Sequence, residues 1–174
     1  TSLWFFQEGG MEGQTNPLTR FFGVGWYGLI ATNALIIAGI IAAYAFYVFK
    51  YRSEKTAQTP DNVWQYISLL YFGKPGQLHK ILYKMPVNRR ALIAHTGFAL
   101  LWTVIVGSIL ATVHNLCQYY EVSFYDNFRE VVKRPLFVIY GLLAITLSLS
   151  TYLVWQDDYS RLYPEKSPNA DSIL

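Results

Sequence analysis

Residues 91–113, ALIAHTGFALLWTVIVGSILATV, decide the fold of this chain. No Asp, Glu, Lys or Arg interrupts them, and as an α-helix they exceed the ~20 residues that cross ~30 Å of hydrocarbon. Two further runs, Val24–Phe49 and Pro135–Trp155, have the same length class and are equally free of charge. Backbone polar groups inside a bilayer must be satisfied within the protein. Uninterrupted apolar runs meet that demand as helices, whereas barrel strands would alternate in polarity. The expected fold is therefore all-α and integral to a membrane: three transmembrane helices in a single membrane domain spanning residues 1–174.

Composition agrees with this reading. The chain of 174 residues is 53% hydrophobic and 17% aromatic but only 14% charged, against about 25% charged in a soluble domain. The net charge of +3 says little, and no nucleic-acid partner is expected. Its distribution is informative. The first loop carries Lys50, Arg52, Lys55, Lys74, Lys80, Lys84, Arg89 and Arg90 against Glu54 and Asp61, while Arg20 is the only basic residue before the first span. The positive-inside rule places that loop in the cytoplasm or its organelle equivalent, with the N-terminus outside and the C-terminus inside. The host is a plasma membrane or an energy-transducing organelle membrane. The first span is too long and too far in to resemble a cleaved leader.

The loops carry the remaining structural signals. Trp4, Phe5 and Phe6 suit the outer interface, where aromatic rings favour the headgroup level; an ordered arm against a partner is the alternative. Asn33, the only amide of the first span, is expected to face protein, because an unpaired amide in lipid is costly. In the first loop, Pro60-Asp61 reads as a helix start with an acidic first turn, and Gly73, Pro75 and Gly76 as its end. A second short helix would hold Leu78, Ile81, Leu82 and Met85. This pair, about residues 61–85, reads as amphipathic helices lying on the membrane surface, or as a platform for a soluble redox subunit on the basic side. The last loop, Asn115–Arg134, reads as a short aromatic-rich connection, and Asp157 and Asp158 as a helix end in water.

Chemistry rests on two histidines. Ionisable residues within membranes are rare and default to functional hypotheses. His95 lies about one turn inside the second span and His114 at its outer end. Their separation of 19 residues corresponds to about 28 Å, with directions about 100° apart. Imidazole ligates haem iron, and bundle cofactors are held between facing helices, so His95 and His114 are the candidate axial ligands. Thr96, Thr103 and Gly107 form a stripe of small residues leading to His114, which suits a flat macrocycle or another helix equally. The first and third spans contain no His, and Met11 and Met85 are both in loops, so opposing ligands would come from a partner chain. The competing reading is that His95 hydrogen-bonds to a neighbouring helix and His114 is interfacial. His79, beside Lys80, reads as solvated surface or as a neighbour to a quinone headgroup. Cys117 is the only cysteine, which excludes an internal disulfide and a cysteine-ligated cluster built from this chain alone. There is no Gly-rich phosphate loop, no H-E-x-x-H and no CxxC.

The stretch LLYFGKPGQLHKILYKMPVNRRALIAHTGFALLWTVIVGSILATVHN (69–115), then FYDNF (124–128) and RPLFVIYGLLAITLSLSTYLVWQDDYSRLYP (134–164), resembles the N-terminal half of membrane cytochrome b subunits. The group is that of the nitrate reductase gamma subunit and the heterodisulfide reductase membrane subunit. There a basic amphipathic segment precedes a helix that begins near one His and ends near another, matched here by His95, followed by Gly97-Phe98, and by His114. The resemblance implies electron transfer between quinone-type carriers and an iron–sulfur partner through b haems. The resulting expectation is a membrane subunit of an electron-transfer complex, helping to hold haem b or quinone among other membrane subunits. The alternative is a cofactor-free structural accessory subunit.

Overall fold

A computed structural model describes residues 23, 25–132 and 135–166. Among these the chain is helical and contains no strand. Five α-helices follow in order: α1 (Trp26–Phe49), α2 (Val63–Phe72), α3 (Arg89–Tyr119), α4 (Ser123–Val132) and α5 (Pro135–Leu162). Short 3-10 turns occupy Leu78–Leu82 and Pro164–Lys166. α1, α3 and α5 are each long and apolar enough to cross a membrane. The expected interfacial placement of Trp4, Phe5 and Phe6 falls outside the described residues.

The long helices outrun their apolar stretches. α3 starts at Arg89, two residues before the apolar run, because the Asn88 side chain caps it by accepting from the Ala91 N–H at 3.0 Å. α5 begins at Pro135, where a missing N–H costs little, and continues past Trp155 through Asp157, Asp158 and Arg161 to Leu162. Asp158 is thus carried on a helix, not on a free end.

Contacts divide the described residues into two compact units, those within 41–103 and 146–166, and those within 23–40 and 104–145. The first holds a core built from α2, the start of α3 and the end of α5, centred on Tyr66, Ile67, Tyr71, Ala94, Val154 and Trp155. α2 is set by its ends. The Asn62 side chain accepts from the Gln65 N–H at 3.0 Å, the Gln65 side chain accepts from the Asp61 N–H at 2.6 Å, and Gly73 closes the helix at φ 71°. The cap is therefore Asn62, and no acidic residue occupies the first turn. Seven of the ten residues of α2 are buried in the unit, from Val63 to Tyr71. That differs from the expected helix lying on the membrane surface: the apolar face of α2 is spent on protein. The expected second amphipathic helix is the five-residue 3-10 turn at Leu78–Leu82, none of which is buried.

Gly97 fixes how closely α1 and α3 approach in this unit. A Cβ there would stand 2.5 Å from the Ala43 carbonyl carbon and 2.7 Å from the Tyr44 nitrogen. Backbone contact at that range is open only to glycine. Beside it Phe98 packs edge-on against Tyr47, with ring centroids 5.3 Å apart.

In the other unit Gly107 faces the Leu143 side chain, where an added Cβ would meet only a flexible methyl at 3.1 Å. The segment expected to be a short aromatic connection contains a ten-residue helix, α4.

Candidate functional site

His95 enters the first unit from the second turn of α3 and is 1% exposed. Both of its ring nitrogens are engaged. Nε2 lies 2.8 Å from Asp158 Oδ2 on α5, and Nδ1 lies 2.9 Å from the Tyr71 hydroxyl at the end of α2. Asp158, also 1% exposed, accepts a second hydrogen bond on the same oxygen from the Tyr51 hydroxyl at 3.2 Å. Four residues from four segments thus form one buried chain: Tyr71, His95, Asp158, Tyr51.

The hydrogens follow from donor and acceptor capacity. A carboxylate only accepts, so Nε2 carries a hydrogen. Burial, above all, pushes the Tyr71 hydroxyl above its ordinary range, and burial followed by the Asp158 charge does the same to Tyr51. Both phenols stay protonated. Tyr51 O–H then donates to Asp158, while the Tyr71 hydroxyl and His95 Nδ1 share a hydrogen bond whose direction follows the state of the imidazole. The Tyr51 ring also packs edge-on against His95, at 5.4 Å.

The pairing of Asp158 with His95 overturns its reading as a helix end in water. Asp157, also inside α5, is partly exposed: it forms a salt bridge with Arg161 one turn on, at 2.6 Å, and accepts from the Tyr47 hydroxyl at 3.4 Å. The direction of α5 separates the two carboxylates. Asp158 lies three residues after Trp155 and four after Val154, on the face that packs into the core.

These hydrogen bonds tie the end of α2, the start of α3, the end of α5 and the residue after α1 to one another. Iron ligation at His95 would require breaking the bond to Asp158 or the bond to Tyr71. His114 lies in the other unit, partly exposed, with Nδ1 hydrogen-bonded to the Tyr125 hydroxyl and the two rings edge-on at 5.5 Å. The structure does not bring His114 and His95 together. His79 is exposed on the 3-10 turn. A half-open cavity of about 450 Å³ adjoins the buried chain, lined by Tyr47, Tyr51, Arg52, Asp158, Arg161 and Leu162 among others.

No protein-family model, curated protein or solved structure matches the chain. The likeness to cytochrome b subunits therefore stays with the residues that suggested it.

Proposed function

We propose that the chain is an integral membrane subunit of a multi-subunit membrane complex, with a structural role in which His95 pins three segments of its own fold. The observation that carries this reading is the closure of both His95 nitrogens by Asp158 and Tyr71. A second observation supports membrane partners. Asn33, six residues inside the first candidate span, is exposed on this chain. An amide facing hydrocarbon is costly unless a neighbouring helix pairs with it. On this reading the basic first loop lies on the cytoplasmic or equivalent side, with the N-terminus opposite.

The test is a reduced-minus-oxidised absorption spectrum of the parent complex, with wild-type chain and with His95→Ala. The structural role predicts a lower yield of assembled complex and, in what does assemble, any b-type band kept in proportion. Selective loss of a b-type band from fully assembled complex would overturn it.

A second reading, an electron-transfer subunit that helps hold haem b or a quinone, draws support from the cavity beside Tyr51. Its volume falls in the range of small-molecule pockets. It also draws on His114, whose hydrogen bond uses Nδ1 and leaves Nε2 for another partner. Loss of a b-type band in His114→Ala would favour it.

A further inference from the structure

At 100° per residue, the sequence of α4, SFYDNFREVV, separates cleanly into two arcs. Phe124, Tyr125, Phe128, Val131 and Val132 fill one, and the charged residues Asp126, Arg129 and Glu130 lie on the other. The polar arc carries its own ion pair, Asp126 with Arg129 at 3.6 Å, both about half exposed. One edge of the apolar arc is docked: Tyr125 reaches back to His114. His114 lies five residues, or about 7 Å, inside the end of α3 at Tyr119. That edge of α4 is therefore turned along α3, toward the middle of the span. The other edge continues the same arc uncovered, with Phe124 81% and Val131 83% exposed. The connection from Tyr119 to Ser123 spans four residue steps, which holds the start of α4 within about 14 Å of the end of α3.

We propose that α4 is an interfacial helix, lying at the boundary of the bilayer with Phe124, Phe128 and Val131 in the acyl region and Asp126, Arg129 and Glu130 toward water. The occupant of the uncovered edge is lipid. That edge is continuous with one already turned along a membrane-spanning helix, and the tether leaves α4 no route away from the membrane surface. Tyr119 and Tyr120, both exposed at the same end of α3, are aromatic rings suited to the headgroup level. The proposal rests on α3 crossing a membrane.

The test uses full-length chain carrying Cys117→Ser, reconstituted in vesicles of phosphatidylcholine and phosphatidylglycerol. Single nitroxide labels are placed through Phe124→Cys, Val131→Cys, Asn127→Cys, Glu130→Cys and, within the span, Ile109→Cys. Relaxation by oxygen, which concentrates in lipid, is compared with relaxation by a water-soluble nickel chelate. The expected result is oxygen dominance at 109, 124 and 131 and chelate dominance at 127 and 130. Chelate dominance at 124 and 131 with 109 still in lipid would overturn the proposal and leave the spanning helix standing. Shielding of 124 and 131 from both reagents would overturn it in favour of a protein partner or a second copy. Chelate dominance at 109 would remove the membrane reading and the proposal together.

Discussion

At residue 95 both imidazole nitrogens are held by buried partners, Asp158 and Tyr71. Removing one partner of a buried pair leaves the other uncompensated, which typically costs 3–5 kcal/mol. His95→Ala and Asp158→Ala are therefore each expected to lower stability by about 3 kcal/mol or more, read as thermal unfolding in detergent. Asp158→Asn keeps a side-chain oxygen able to accept from His95 and Tyr51, so its loss should be clearly smaller; equal losses in the two Asp158 variants would contradict the assigned hydrogens. The tyrosines set the response to pH. Tyr51, Tyr66 and Tyr71 ionise above their ordinary range because burial disfavours the phenolate. Their contribution is whole below about pH 10 and is lost as the pH climbs past it toward the folded-state values. Each lowers stability by about 1.4 kcal/mol per pH unit above 10. Tyr66, fully buried with no hydrogen-bond partner for its hydroxyl among the described residues, isolates this effect. Tyr66→Phe should leave stability at neutral pH unchanged or slightly raised and should shallow the decline between about pH 10 and 11.

On the scale of elements, two glycines of one helix make a paired prediction. Gly97→Ala drives a methyl into the backbone of α1, so a loss of about 3 kcal/mol, or displacement of α1, is expected. Gly107→Ala meets only a Leu143 methyl that can turn aside, and the change should stay within about 0.5 kcal/mol. Comparing the two unfolding midpoints checks both. The caps of α2 behave similarly: Asn62→Ala removes the acceptor for the Gln65 N–H and should cost about 1 kcal/mol. Legibility in the sequence follows the same division. The long helices were readable because an uncharged apolar run admits little else. The end of α2 at Gly73 was readable from its turn residues. The burial of α2 was not, because an amphipathic helix looks the same whether lipid or protein covers it. α4 was missed because ten residues rich in aromatics read as a connection unless the alternation of Phe124, Phe128 and Val131 with Asp126, Arg129 and Glu130 is plotted around a helix.

For the whole molecule, the site was half legible. His95 stood out as an ionisable group in an apolar run, but its partners lie far away in sequence. Tyr71 precedes it by 24 residues and Asp158 follows it by 63. One signal pointed there: with three alternating spans, the end of the first, the start of the second and the end of the third share a side, and Tyr51, His95 and Asp158 occupy those places. The distance from His95 to Asp158 also sets a clock. At about 5–20 residues per second of synthesis, Asp158 leaves the ribosome about 3–13 s after His95. For that interval the imidazole has Tyr71 but no carboxylate, and Tyr51 has no acceptor. The first two long helices are thus synthesised before the residue that fastens them exists. A nascent chain halted before α5 is complete would hold an unfastened histidine, a form that quality-control machinery has seconds to recognise.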